Sequence, residues 1–457
     1  MGTGLGHRAA PAAPEIGRAN ALRPASSVVA ALLGATLAGL VALSLLSTLS
    51  PSSLWRGLTV GMAWFSVVFA LLRLGLLLLR PRQQADMPLP DASLPRYTVI
   101  IPLFREAHMV PGLVEALGAL DYPDDKLDIV FACEMVDPDT ADAARAVTDP
   151  RFRTLVVPAV TPGGEPQTKP RALNAVLAAS SSELVTIYDA EDRPHPQQLR
   201  AAANAFADHP DWDALQAPLD YFNTGDSWLA AQFGLEYAGL FHVLLPAYDR
   251  LGLPFPLGGT SNHMRRGALE RAGGWDAFNV TEDADLAFRL SLGARRIGWI
   301  APPTREEAVA RLRPWMRQRS RWLKGYIQTW LVHMNAPVRG GWRRALMLQL
   351  SLGVSLLCVA LYAPVMGLLA ALAVFSPSQL QPVYLATLAC ALCSAMAVGA
   401  LGAVRAEQPR LLRHVPLMPL YWLLMFPPLV RALWELRTNP YHWHKTEHGI
   451  SGAQAAE

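Results

Sequence analysis

The chain has 457 residues, 52% of them hydrophobic and only 17% charged, and its mean hydropathy is +0.21. About 25% charged residues is usual for a soluble domain; here the shortfall sits in long charge-free stretches near both ends, with a normally charged stretch between them. This pattern excludes a disordered chain, a disulfide scaffold and an ordinary soluble enzyme, and a net charge of +3 (40 basic against 37 acidic residues) gives no global case for nucleic-acid binding.

Residues 1–25 read as a disordered cytoplasmic N-terminus. Residues 26–49 carry no charge, enough for a membrane-crossing helix and too long for a signal-peptide core. Residues 57–79 form a second candidate, whose one charge, Arg73, lies close enough to its end to snorkel to the interface. Together, residues 26–80 predict two transmembrane helices.

The middle of the chain alternates. Tyr97–Leu103 (YTVIIPL) is a continuous apolar run, as expected of a strand buried on both faces. A helix follows through Leu120, then strands at 127–133 and 153–157, a helix at 171–179 and a strand at 183–188. Strand and helix in alternation predict an α/β domain over 94–305, with a mostly parallel, Rossmann-like sheet that binds ligands beyond the carboxyl ends of its strands. Acids stand at those ends: Glu106 shortly after Pro102, Glu134 and Asp137 after the second strand, and Asp189-Ala190-Glu191-Asp192 after the fourth. Closely spaced carboxylates repel, and a divalent cation such as magnesium or manganese relieves them, with either Glu191 or Asp192 as the partner of Asp189. Lys169 and Arg171 open a helix suited to a diphosphate.

Further on, Gly259, Thr260, Asn262 and His263 belong to a small-residue run that a ligand could approach closely. Thr281-Glu282-Asp283 leads into an apolar helical periodicity. Gln318, Arg321 and Trp322 are spaced to share a helix face within a basic, aromatic stretch, so residues 306–340 predict amphipathic interface helices. Residues 345–375 and 382–404 predict two more membrane helices, whereas 415–430, short and interrupted by prolines, reads as a re-entrant segment. These fill 341–434 and leave 435–457 as a cytoplasmic tail with no room for a regulatory domain. Arginines flank every span on one side, which places the soluble domain on the cytoplasmic face. Cys390 and Cys393 fall within an apolar stretch and Cys133 and Cys358 stand alone, so none is read as a redox or metal site.

In this order the motifs resemble those of membrane-bound family-2 glycosyltransferases of the cellulose, hyaluronan and chitin synthase type. There the pattern is an acidic strand end, a Lys-containing helix start, DxD, TED and QxxRW. Here it reads Glu134/Asp137, Lys169, Asp189/Glu191, Thr281-Glu282-Asp283 and Gln318-Arg321-Trp322. Trp443 and Lys445 resemble a short gating motif of hyaluronan and chitin synthases. Two departures stand out: Glu134 is followed by Met135 where two aspartates are usual, and DxD has become Asp-Ala-Glu-Asp.

The resemblance implies a GT-A domain and a metal-dependent inverting hexosyltransferase using Mg2+ or Mn2+. Asp283, beside Glu282, would be the general base. Asp189 with Glu191 or Asp192 would hold the metal. Pro102, Glu106, Glu134, Asp137, Lys169, Arg171 and Asp189 would bind the nucleotide. The 259–263 run, Gln318, Arg321 and Trp322 would meet acceptor, product and diphosphate. The expected partners are a UDP-sugar, with UDP-glucose favoured, and a polysaccharide or lipid-linked acceptor in the bacterial inner membrane, with export partners undefined. A processive β-glycan synthase is the first expectation. A non-processive transferase to a lipid-linked acceptor is the second, and a degenerate scaffold the third. A transporter would need more intramembrane charge than the chain has.

Overall fold

The computed structural model describes residues 51–82, 88–159, 166–292 and 295–441. The helix expected at 26–49, together with Trp443 and Lys445, lies outside them. The strands are β1 (Tyr97–Leu103), β2 (Leu127–Glu134), β3 (Phe152–Val157), β4 (Leu184–Ile187), β5 (Arg193–Pro194), β6 (Trp212–Gln216), β7 (Leu219–Tyr221), β8 (Asn262–Arg265), β9 (Arg296–Trp299) and β10 (Thr304–Glu306).

Seven strands form the main sheet in the order β3-β2-β1-β4-β8-β6-β9. Only β8 runs antiparallel to its neighbours. The apolar runs explain the central position of β1 and β2. Tyr97, Val99, Ile101 and Leu103 pack into one core with Ile129 and Phe131, while Ile100, Val130 and Ala132 pack into a second core on the opposite face. A strand can sit between two cores only if both of its faces are apolar. The chain winds outward from β1 to β3 and returns to β4, so a crevice opens between the carboxyl ends of β1 and β4. A smaller sheet, β5-β10-β7, adjoins it, and in its register Glu306 stands opposite Tyr221.

Among the described residues, three helical runs are long and apolar enough to cross a membrane: Trp342–Phe375, Pro382–Arg405 and Pro409–Thr438. The last departs from expectation. Hydropathy alone stops it at Val430, but the helix Phe426–Thr438 continues through polar residues, and the whole run is 30 residues long. It is built of short helices, with Pro419 and both Pro427 and Pro428 in first turns, where a missing N–H costs nothing.

Two glycine contacts join the parts. Gly402, on Pro382–Arg405, lies against the backbone of Ala238 and Gly239 so closely that a Cβ there would overlap it. Gly325, in the helix Leu312–Met334, faces the turn before the helix Glu282–Leu290, where a Cβ would lie 2.8 Å from Thr281 Cβ. Asn279 reinforces this second seam: its Nδ2 donates to Thr329 Oγ1 (3.0 Å), and its Oδ1 accepts from the Thr281 N–H (3.0 Å). The helix carrying Gln318, Arg321 and Trp322 is thereby locked to the turn carrying Glu282 and Asp283.

Gly325→Ala should lower stability by about 1–3 kcal/mol, the usual cost of overpacking, seen as a lower thermal midpoint in detergent. Gly367→Ala, on a membrane helix with nothing within 4 Å of a new Cβ, should not. Equal midpoints for the two variants would contradict the close contact.

Candidate active site

A cavity of 1120 Å³ opens at the crevice, beyond β1, β2 and β4, and extends between the membrane helices. Pro102, Glu106, Glu134, Lys169, Asp189, Glu191, Gly259, Thr260, Glu282, Asp283, Gln318, Arg321 and Trp322 all line it. Residues more than two hundred positions apart in the chain thus meet around one space.

Lys169, the first residue of its helix, reaches across the cavity floor. Its Nζ pairs with Asp189 and donates to Gly259 O (2.7 Å). Burial works against its charge, but Asp189 and Glu282 outweigh that and raise its pKa. The Asp189–Asp192 turn folds on itself: Asp192 accepts hydrogen bonds from the Asp189 N–H (2.7 Å) and the Thr260 hydroxyl. Asp189 and Glu191 therefore face the cavity, while Asp192 is the brace behind them.

Asp283 occupies the second position of the helix Glu282–Leu290, and its Oδ1 accepts from the Ala284 N–H (2.7 Å). Burial, and then repulsion from Glu282, raise its pKa to about 7, against the pull of the Ala284 N–H, Lys169 and Arg321. Gly259 borders the same pocket, where a Cβ would sit 3.5 Å from Asp283 Oδ2. Arg321 donates to Val280 O (3.4 Å), beside Glu282 and Asp283. Trp322 stacks on Tyr237 with ring centroids 6.2 Å apart and meets Phe233 edge-on, while the Arg319 guanidinium lies 4.7 Å from its ring centroid.

Five sequence-predicted residues do not line the cavity. His263 is a core side chain: its Nδ1 bonds Tyr97 Oη (2.6 Å) and its Nε2 Gln198 Oε1 (3.2 Å). Burial lowers its pKa to about 3, so it stays neutral. Its position on β8, paired with β4, rather than on a loop puts it there. Asn262 is also buried and donates to Gly258 O (2.5 Å), shaping the glycine turn from behind. Asp192 braces its own turn, as above. Arg171 is buried beneath the cavity, paired with Glu134 and bonded to Ala159 O (3.1 Å), and so orients Glu134. Asp137 accepts from the Arg105 N–H and holds the loop after β1, where Arg105 adopts a left-handed φ of 56°.

Glu306 was missed. It lines the cavity from β10, and its Oε1 is buried without a hydrogen-bond partner. Burial, then Asp192, Glu191 and Asp189, push its pKa well above the usual carboxylate range. Glu191 is raised likewise, by burial and then by Asp189 and Glu106. The adjacent Glu306-Glu307 pair was the available signal. This is an acid-rich pocket short of positive charge. Among the described residues no three His, Cys, Asp or Glu side chains form a ready-made metal cage, but Asp189 and Glu191 offer hard oxygens whose repulsion a divalent cation would relieve.

Residues 184–401 match the family model described as Glycosyl transferase family group 2. Over those residues, a little under half of the chain, the sequence is similar to family 2 glycosyltransferases. The chain is 28% identical over 285 residues to the beta-monoglucosyldiacylglycerol synthase of Synechocystis sp., covering 58% of this chain and 56% of that one. It is also 28% identical over 285 residues to the UDP-forming cellulose synthase catalytic subunit of Xanthomonas axonopodis pv. citri, covering 60% of this chain and 37% of that one. The match thus spans about half or less of these relatives. Among solved structures, a mannosyltransferase from Pyrobaculum calidifontis in complex with GDP-Man and Mn2+ aligns with a TM-score of 0.52 at 21% identity, over 83% of this chain and 96% of that one. That likeness fixes the fold as GT-A-like.

If Asp283 is the base of the transferase, its protonation shuts the reaction down. With the free-enzyme pKa raised to about 7, kcat/KM should fall about tenfold per pH unit below that point. A profile of nucleotide release across the acid range checks this, and a rate flat to about pH 5 would exclude Asp283 as the titrating base.

Proposed function

We propose that the protein is an inverting hexosyltransferase that moves one sugar from a UDP-sugar to a hydroxyl of a lipid acceptor drawn from the bilayer. The observation that carries this reading is the character of the cavity's far half. Beyond the carboxylates its walls include Phe65, Phe69, Leu361, Val365, Leu388 and Leu392, from three membrane-facing helices. A polysaccharide presents hydroxyls along its length and needs many polar partners, whereas this half is mostly apolar, with Ser66, Arg73, Ser351, Ser355 and Tyr362 as its polar side chains; acyl or prenyl chains need none. The glycolipid-forming relative supports the same choice.

In this reading Asp283 removes the proton from the acceptor hydroxyl as that oxygen attacks the anomeric carbon from the face opposite the diphosphate. A single displacement inverts the centre, so one base suffices. Lys169 and Arg321 offset the charge that gathers on the departing diphosphate. Glu134, held by Arg171, faces the nucleotide base. Asp189 and Glu191 would hold a divalent cation, which would supply Lewis-acid neutralisation of the diphosphate oxygens, and Glu306, which already feels the charge of both, would be eased by it. Trp322, fixed on Tyr237, offers a flat face to the acceptor sugar or headgroup. The arginine-flanked helices favour an inner-membrane protein with its catalytic domain in the cytoplasm.

The cellulose synthase relative motivates a second reading, in which the acceptor is a growing β-glycan. The test is turnover by purified protein in nanodiscs with Mg2+ or Mn2+, a panel of nucleotide sugars and dioleoylglycerol or native lipid extract. Wild type should release nucleoside diphosphate and yield a lipid bearing one hexose. Asp283→Asn should lose about 10²–10⁴-fold in rate. A water-soluble polymer as the product would replace the lipid reading with the glycan one.

A further inference from the structure

Arg73 lines the membrane half of the cavity, on the helix Pro51–Leu77. The sequence suggested that it snorkels to the interface; its side chain lines the cavity, where Tyr248 and Cys358 line the same stretch. It makes no hydrogen bond or ion pair with a described residue. Its neighbours at the membrane edge differ: Arg82 pairs with Asp249 at 3.2 Å, and Arg405 donates to His242 O (3.1 Å) and Leu79 O (3.0 Å). A guanidinium kept within an apolar cavity is costly unless something anionic joins it. Its depth is informative. Arg73 precedes the helix end at Leu77 by four residues, about 6 Å along the axis; in a bilayer crossed by this helix, that end would lie near the headgroups.

We propose that Arg73 is the anion-binding residue of a lipid site: it holds a phosphate of the lipid whose chains run along Phe65, Phe69, Leu361 and Val365. A planar guanidinium matches phosphate oxygens bidentately, and phosphate is the commonest anion at that depth in a bilayer. The proposal rests on the lipid-acceptor reading and narrows it from any membrane alcohol to a phosphate-bearing lipid. It places the charged group at the membrane edge, with the cavity leading from there to Asp283.

Binding can be read without turnover. The full-length protein in detergent is offered dioleoylphosphatidic acid, dioleoylglycerol or inorganic phosphate, and retained lipid is measured by native mass spectrometry, with phosphate binding followed by calorimetry. Wild type should retain the phosphatidic acid about tenfold better than the glycerol with the same chains. Arg73→Gln should remove that preference and Arg73→Lys should keep part of it, while both still bind UDP, which reports an intact fold. Asp283→Asn should bind the lipid as wild type does, so a failure of the catalytic reading leaves this result standing. Equal retention of both lipids by wild type, or an unchanged preference in Arg73→Gln, would overturn the proposal. Tight binding of inorganic phosphate that competes with the lipid would assign the site to free phosphate instead, and so also overturn it.

Discussion

The site is organised around a single ammonium group. Lys169 Nζ contacts Asp189 on one loop and Gly259 O on another, and it is one of two cations that act on Asp283. Without it, Asp189, Glu191, Glu282, Asp283 and Glu306 would line one pocket with little to offset their repulsion. Buried like charges cannot all remain ionised: burial first, and then their mutual repulsion, raises the carboxyls of Glu191, Asp283 and Glu306 despite the pull of Lys169. On the proposed reading the residual deficit of positive charge has a use: it would give the pocket an affinity for a cation, and Asp283 a proton affinity suited to a base at neutral pH.

The second organising feature runs from this pocket towards the membrane. Asp285, two residues beyond Asp283, accepts from Arg289 Nε (2.7 Å) and bonds His333 Nε2 (3.1 Å), and His333 Nδ1 lies 2.6 Å from Arg344 Nη2. Burial alone would raise the Asp285 carboxyl, but Arg289 and His333 hold it down at about 2. Two acids on one short helix thus have opposite tasks. Asp283 is free to take a proton, while Asp285 is fixed as an anion that ties its helix to Leu312–Met334 and to the start of Trp342–Phe375.

Much of this was legible in the sequence because burial leaves a plain mark. The run Tyr97–Leu103 was bounded correctly from hydropathy, and β2 exceeded its expected range by one residue, Glu134. Motif spacing also gathered Asp189, Asp283, Gln318 and Arg321 into one site. What could not be read was decided by pairing between distant segments. His263 looks like a site residue in a run of small side chains, but the β4–β8 ladder delivers it between Tyr97 and Gln198. Which of Glu191 and Asp192 faces the cavity turned on which carboxylate closed the loop, and the Asp189 N–H and the Thr260 hydroxyl hold Asp192 there. Glu306 joined the acids through β10 and β7, a pairing with no local signature.

The seam at Gly402 bears on selectivity. Because helix backbones touch there, with no side chains between them, the contact resists sliding of the helix carrying Ala238 and Gly239 along Pro382–Arg405. If Pro382–Arg405 crosses a bilayer, the height of Asp283 above it is then fixed by this contact. For an acceptor anchored in the lipid, the enzyme would act as a gauge of reach: it would discriminate by the distance from membrane surface to reactive hydroxyl and be largely indifferent to the length of the tail below.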